Sequence, residues 1–228
     1  MATMMDALLA QPLIADKQII VIESGSHDGT RQVALRYANH PQVQVILQDQ
    51  PRGKGNAVRA GLAQAHGDMI LIQDADLEYD LHDYDALLEP LVNYRAAFVL
   101  GSRHSGTWKM RQFADQPIAS ASLNLGHLFF TALFNLLYGA HMRDPFTMFK
   151  VFRRDCLYRL RFECDRFDFD IELVAKLLRK GYHPVEIPVN YRSRSFRQGK
   201  KVSIFRDPPT WVRALLKYRL TSPLVEEP

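Results

Sequence analysis

Residues Gly67 to Tyr79 read GDMILIQDADLEY, and the fold follows from how that stretch divides. Met69, Ile70, Leu71 and Ile72 form an unbroken apolar run behind a helix-stopping glycine, the pattern of a short strand buried on both faces. At Gln73 the run stops, and Asp74, Ala75, Asp76 and Glu78 follow. In an open α/β sheet the ligand crevice lies beyond the carboxyl ends of the strands, so these carboxylates stand at its mouth. Two carboxylates separated by one small residue can share a hard divalent cation and leave its other positions to phosphate oxygens. Asp74 and Asp76 would also serve as a turn and a helix cap, since Asp is favoured in both places. A calcium loop is excluded, because Tyr79 holds the sixth place, where the sharp turn needs Gly, and a strand precedes the loop instead of a helix.

Outward from this strand the chain alternates. On the N-terminal side, Met4 to Leu13 reads as a helix and Lys17 to Glu23, KQIIVIE, as a strand ending in a carboxylate. A turn-rich loop, Ser24 to Thr30, leads to a helix with Val33, Ala34 and Tyr37 on one face, then to a strand Val43 to Leu47. Gly53-Lys54-Gly55-Asn56 opens the next helix, which stops at Gly67. On the C-terminal side come a helix Tyr84 to Tyr94, a strand Ala97 to Gly101 and an uncharged helix Ile118 to Tyr138. Then follow a strand Phe149 to Phe152, a helix Asp170 to Arg179, an edge strand Pro184 to Tyr191 carrying two prolines, and a last helix Pro209 to Tyr218. The alternation predicts an α/β fold with a mainly parallel sheet and helices on both faces.

With 228 residues, 47% of them hydrophobic, the chain has room for one sizeable core, and no linker suggests a second domain, so a single domain spans 1–228. A net charge of +4 is too mild to select a partner by itself, and no nucleic-acid-binding motif accompanies it. Cys156 and Cys164 complete no zinc pattern and read as reduced thiols of an intracellular protein. The opening MATMMDALLAQ has neither the basic start nor the sustained apolar run of a secretory leader. From Gln116 to His141 there is no Lys, Arg, Asp or Glu, but Ser120, Ser122, Asn124, His127, Thr131 and Asn135 make this a buried or membrane-surface helix in preference to a span.

Six stretches, taken in order, resemble the family 2 glycosyltransferases of the GT-A fold, with the nearest likeness to the dolichyl- or polyprenyl-phosphate hexose synthase branch. They are VIESGSHDGT at Val21 to Thr30, RGKGNAVRAGLAQAHGD at Arg52 to Asp68, QDADLEYD at Gln73 to Asp80, VLGSRH at Val99 to His104, DPFTMFKVFRR at Asp144 to Arg154, and Phe167 to Ser195. The resemblance implies a Rossmann-like GT-A sheet, and it implies that Asp74 and Asp76 hold Mg²⁺ or Mn²⁺ on a sugar-nucleotide diphosphate, with Asp76 at the chemistry. It places Glu23, Ser24 and Gly25 at the nucleotide, where many members have Asp in place of Glu23. Lys54, Gly55, Ala75, Arg194, Lys200 and Lys201 would line the same nucleotide-sugar site, and Arg103 with Arg111 would meet an acceptor phosphate. Asp144 and Glu172 complete the expected catalytic set.

The activity implied is inverting transfer of a hexose to a polyprenyl phosphate by a protein on the cytoplasmic face of a membrane. Transfer to a sugar hydroxyl and a non-catalytic nucleotide- or lipid-binding role are the alternatives. A hydroxyl acceptor would need a base, with Glu172 or Asp170 the candidates, whereas a lipid phosphate is already an anion. Nine basic residues between Arg192 and Arg219 against Asp207 alone predict a basic face, with Trp211, Leu215 and Leu216 as the apolar side of a membrane-resting terminal helix. The family usually begins with a strand and loop resembling VVIPVYNE, and here the chain starts in the helix that would follow, so the sheet is expected to lack a central strand.

Overall fold

The computed structural model of the protein describes residues 1–104, 110–113, 115–194 and 207–224. The strand at the centre of the sequence argument is β3, Met69–Ile72, with Ile70 and Ile72 buried and Met69 and Leu71 partly covered. It belongs to a four-stranded sheet of order β3-β5-β4-β6, with β4 at Phe98–Ser102, β5 at Lys150–Arg153 and β6 at Val185–Pro188. β5 runs antiparallel to both neighbours and β6 parallel to β4, so β3, β4 and β6 share one direction and the sheet is mainly parallel. β6 lies at the edge, where its proline is tolerated. Phe98, Val99, Leu100, Val151 and Phe152 are wholly buried and form the centre of the core.

The remaining strands, β1 at Ile19–Ser24 and β2 at Val43–Gln48, form a separate parallel pair in register from Ile19↔Val43 to Ser24↔Gln48. Among the described residues the sheet is therefore divided in two between β1 and β3. Helix α1, Ala2–Ala10, bridges the two parts through Met4, Met5 and Leu8, which are buried. Asp6 accepts from Tyr37 Oη at 2.6 Å on the β1–β2 side, and Gln11 Nε2 donates to the Leu81 carbonyl at 2.8 Å on the other.

The other helices are α2 (Thr30–Leu35), α3 (Lys54–Leu62), α4 (Tyr84–Val92), α5 (Pro117–Tyr138), α6 (Phe169–Arg179) and α7 (Asp207–Leu220). α4 stops two residues before its expected end because the backbone turns at Tyr94, whose φ is 54°, and the amides of Arg95 and Ala96 close back onto the Pro90 carbonyl. α7 starts two residues early, at a buried Asp207 that pairs with Arg166 at 2.8 Å, and two prolines fit its first turn where amides lack intrahelical acceptors anyway. On α7, Leu215 and Trp211 turn inward, Trp211 packing edge-on against Phe130 of α5 at 5.1 Å, while Val212, Leu216 and Leu220 are exposed. Only Leu216 of the expected apolar side therefore faces outward. Cys156 and Cys164 are both free thiols.

Candidate functional site

The carboxyl end of β3 delivers Asp74, Ala75 and Asp76 to a cluster of charged side chains from α3, β5, α6 and the segment after β6. Burial and the neighbouring Asp74 charge push the Asp76 carboxyl above its ordinary value. Its Oδ1 accepts the Glu78 amide at 3.2 Å, and its Oδ2 is paired with Arg194 Nη2. Arg194 also reaches Glu78, through its amide at 2.9 Å and Nε at 3.2 Å, and Tyr191 Oη donates to the other Glu78 oxygen at 3.0 Å. Arg194 thus supplies the positive charge that these carboxylates require when paired with protein groups alone.

At the start of α3, Lys54 is charged toward Asp74 and donates to Asp170 Oδ2 at 2.7 Å. Lys150, the first residue of β5, donates to Asp170 Oδ1 at 2.8 Å. Burial pushes the Lys150 ammonium down to about 8, against the pull of Asp170. The glycines flanking Lys54 have a structural reason: a Cβ on Gly53, which has φ 104°, would strike the Asp165 carbonyl, and one on Gly55 would strike the Cys164 carbonyl and Phe169. The close approach at these two glycines is made by the 164–165 backbone, and the Asn56 amide donates to the Asp165 carbonyl at 3.1 Å.

Beyond β4, Arg103 and Asp144 form a buried two-point pair, Nε to Oδ2 and Nη2 to Oδ1, both at 2.7 Å, with the Arg103 amide adding a third bond at 3.0 Å. These bonds hold the Asp144 carboxyl far below the usual carboxylate range although burial opposes them. Expected as a catalytic group, Asp144 is committed to aiming Arg103, whose guanidinium lies over the Tyr191 ring at 5.3 Å. On the far side of the pair, His127 of α5 lies 3.8 Å from Asp144 Oδ1, and its Nε2 is 3.1 Å from His104 Nε2. Burial pushes His127 down to about 3, so it is neutral.

Arg111 lies against this cluster. Asn124 of α5 clasps its backbone at both ends, accepting from the Arg111 amide at 3.2 Å and donating to the Arg111 carbonyl at 2.9 Å. The guanidinium is directed inward: Nε and Nη1 are buried with no hydrogen-bond partner, and burial together with the like charge of Arg103 lowers its affinity for its proton. Two cations converge here against the one carboxylate of Asp144, an arrangement that accommodates a further anion.

Two expected site residues face elsewhere. Glu23, expected at the nucleotide base, is buried beneath the loop it caps, accepting from the Ser26 amide at 2.6 Å and from Arg31 Nε at 2.5 Å, and these bonds lower its carboxyl against the opposing effect of burial. Ser24 donates to Gln48 Oε1 at 2.7 Å, and Gly25, with φ 67°, turns the chain there. Glu172 is fully buried; it accepts the amides of Glu163 at 3.0 Å and Cys164 at 2.8 Å and pairs with Lys176 at 2.6 Å. It fastens the segment that presses on Gly53 and Gly55, and leaves no free oxygen to take a substrate proton. Lys200 and Lys201 lie outside the described residues. The sequence reading did not identify the His104–His127 contact, the Arg31 partner of Glu23 or the Asn124 clasp.

Among the described residues no group of three or more His, Cys, Asp or Glu side chains converges as a ready metal cage. Asp74 and Asp76 suit a divalent ion completed by ligand oxygens, since two carboxylates one residue apart offer hard oxygen donors, and Arg194 already places a cationic group on Asp76.

The model of the family "Glycosyl transferase family 2" matches residues 1–161. A dolichyl-phosphate beta-glucosyltransferase, ALG5C of Trichomonas vaginalis, is 30% identical over 183 residues, covering 76% of this chain and 52% of that protein. The dolichyl-phosphate beta-glucosyltransferase of Homo sapiens is 31% identical over 178 residues, 69% of this chain and 50% of that one. The chain thus spans about half the length of these curated relatives. Among solved structures, mannosyl-3-phosphoglycerate synthase from Rubrobacter xylanophilus superposes with a TM-score of 0.67 at 20% identity, over 95% of this chain and 67% of that one. Glucosyl-3-phosphoglycerate synthase from Mycobacterium tuberculosis, in complex with Mn²⁺, UDP-glucose and phosphoglyceric acid, gives 0.62 at 19% identity over 88% of this chain and 68% of its own. These likenesses carry the fold, which is GT-A, and with the family match over 1–161 they make the chain a member of the family 2 glycosyltransferases.

Proposed function

We propose that this chain is the catalytic domain of a metal-dependent, inverting hexosyltransferase that moves a sugar from a nucleoside diphosphate to a polyprenyl phosphate at a membrane surface. The observation that carries the reading is Arg111, whose buried Nε and Nη1 lack partners beside Arg103. A phosphate monoester in that place would accept from both guanidinium groups and remove the cost of the unsatisfied donors. The names of the relatives, dolichyl-phosphate glucosyltransferases, support the same acceptor class.

On this reading Asp74 and Asp76 would hold Mg²⁺ or Mn²⁺, which as a Lewis acid offsets charge on the departing nucleoside diphosphate. Lys54 adds a positive charge near Asp74, and Arg194 is the side chain that changes partners when the diphosphate arrives. Arg103, fixed by Asp144, and Arg111, fixed by Asn124, hold the acceptor phosphate for in-line attack. An anionic nucleophile needs no proton removed, in keeping with Glu172 and Asp170 being wholly engaged by amides and lysines. Transfer to a neutral sugar hydroxyl finds no uncommitted base in either residue.

The test is transfer of labelled hexose from UDP- and GDP-sugars to a short-chain polyprenyl phosphate with Mn²⁺ or chelator. Arg111→Ala should raise the acceptor KM by about tenfold or more, and Asp76→Asn should abolish transfer. Equal transfer to a free alcohol, or transfer undiminished by chelator, would overturn the assignment.

A further inference from the structure

Segments that leave the two outer strands of the four-stranded sheet, β3 and β6, meet at Tyr191. Their backbones form a short antiparallel ladder: Tyr79 bridges Tyr191, the Asp80 amide donates to the Asn190 carbonyl at 3.3 Å, and the Arg192 amide donates to the Glu78 carbonyl at 2.7 Å. The ladder fixes the Tyr191 ring, which lies 5.0 Å from the ring of Tyr79, itself 4.4 Å from the buried Phe149. From there the side chain reaches in two directions. Its ring carries the Arg103 guanidinium at 5.3 Å, and Arg111 lies within electrostatic reach of the same side chain. Its hydroxyl donates to Glu78 Oε2 at 3.0 Å, while the other oxygen of that carboxylate accepts from the Arg194 amide at 2.9 Å and from Arg194 Nε at 3.2 Å. Arg194 in turn is paired with Asp76. One aromatic side chain therefore stands between the guanidinium assigned to the acceptor phosphate and the acid held by the guanidinium assigned to the diphosphate. Filling space and carrying Arg103 need only the ring. The hydroxyl on Glu78 has a separate reason.

We propose that Tyr191 is a positioning residue that couples the two half-sites, so that a bound nucleoside diphosphate makes the acceptor phosphate bind more tightly. This coupling, which rests on the proposed function for the identity of both ligands, has Arg194 as its two-state element: Asp76 and Glu78 are one set of partners and the diphosphate is the other. When Arg194 turns to the phosphates, the Glu78 carboxylate loses the Nε bond and the positive charge behind it. The Tyr191 hydroxyl then donates to a less compensated carboxylate, and that hydrogen bond strengthens. Electron density displaced onto the ring deepens its negative face. The Arg103 guanidinium, already fixed by Asp144 through two bonds at 2.7 Å, is held in place more firmly. A guanidinium fixed before its anion arrives loses less freedom on binding it. The effect is reciprocal, so the acceptor raises the affinity for nucleotide by the same factor.

The experiment is titration calorimetry of the purified chain with farnesyl phosphate, in the absence and in the presence of saturating Mn²⁺ and UDP or GDP, whichever nucleotide binds. The nucleotide carries no hexose, so no transfer interferes. In the wild type, nucleotide should lower the farnesyl phosphate Kd by about fivefold or more. Tyr191→Phe keeps the ring and removes the hydroxyl: its Kd without nucleotide should match the wild type, and the ratio of the two Kd values should fall to about 1. Tyr191→Leu removes the ring as well and should raise the Kd without nucleotide by about three- to fivefold. A merely structural tyrosine would shift both Kd values together and leave their ratio intact, and thermal melts of the variants detect any loss of folding. Equal wild-type Kd values with and without nucleotide, or an undiminished ratio in Tyr191→Phe, would sink the coupling and leave the transferase assignment standing. A wild-type chain that binds no nucleotide, or no farnesyl phosphate, would sink the transferase assignment and the coupling with it.

Discussion

Asp170 receives two lysines, one on each carboxylate oxygen: Lys54 from α3 at 2.7 Å and Lys150 from β5 at 2.8 Å. One carboxylate therefore ties the glycine loop to the central sheet, and it is the only acid in direct contact with the two cations among the described residues. Asp170→Asn should destabilise the domain by about 3–5 kcal/mol, the usual consequence of leaving a buried charge without its counterion. The Asp170→Asn/Lys150→Met double variant should recover part of that loss, since the wholly buried cation is then gone as well. Urea unfolding of the wild type, single and double variants measures it, and a double variant no more stable than the single would show that Lys150 is not the group left stranded.

The Arg103–Asp144–His127 cluster predicts an acid-sensitive fold. His127 is held at about 3 in the folded chain and takes its proton near 6.5 when unfolded. The unfolded state then binds more protons as pH falls below about 6.5, so the stability tied to a neutral His127 is present above that value and declines below it. Asp144, whose folded value is depressed, acts in the same sense at lower pH, from about 4 downward. Chemical denaturation at stepped pH should show stability declining on acidification from about 6.5. His127→Asn should flatten the upper part of that decline and leave the lower part, whereas an unchanged profile would remove His127 as its source.

Gly55→Ala should weaken nucleotide binding indirectly. The added methyl meets the Cys164 carbonyl and Phe169 Cβ, the latter at 2.7 Å, neither of them the free end of a flexible side chain. The expected cost is about 1–3 kcal/mol of stability, with Lys54 displaced from Asp170. Because Glu172 fastens the opposing segment through the Glu163 and Cys164 amides, Glu172→Gln should produce the same pairing of lost stability and weaker nucleotide affinity. Normal stability with abolished turnover in Glu172→Gln would instead point to a direct chemical role.

What could be read from the sequence divides along physical lines. β3 was legible to the residue because a four-residue apolar run between Gly67 and Gln73 admits one length. The insertion of β5 between β3 and β4, and the separation of β1–β2, rest on pairings between distant segments that no local pattern encodes. Asp74, Asp76, Lys54 and Arg103 were singled out from motifs, but the direction in which Glu23 and Glu172 point depends on which amides the surrounding loops offer. In α5, Ser120, Asn124, His127 and Thr131 counted simply as polarity against a membrane span. Their spacing of four, three and four residues puts them on one helical face, and that was the available signal for a buried polar clasp.

Arg194 on Asp76 and Glu78 makes the last prediction a competition. If Asp74 and Asp76 hold a divalent ion, that ion and the Arg194 guanidinium cannot both have full use of the Asp76 carboxylate. Arg194→Gln should therefore tighten binding of Mn²⁺ alone by several-fold, because the competing cation is removed and Asp76 is left beside Asp74 with no positive partner on that oxygen. The same variant should bind the Mn²⁺–nucleoside diphosphate complex more weakly, since a guanidinium freed from Asp76 is then missing from the phosphates. Opposite shifts for metal alone and for metal with nucleotide distinguish this exchange from a general loosening of the loop, which would weaken both. Titration calorimetry with Mn²⁺, then with Mn²⁺ and UDP or GDP, reads the two affinities, and Asp76→Asn serves as the control that should bind neither. Unchanged Mn²⁺ affinity in Arg194→Gln would mean that Arg194 and the ion do not share Asp76, and would move the metal toward Asp74 alone.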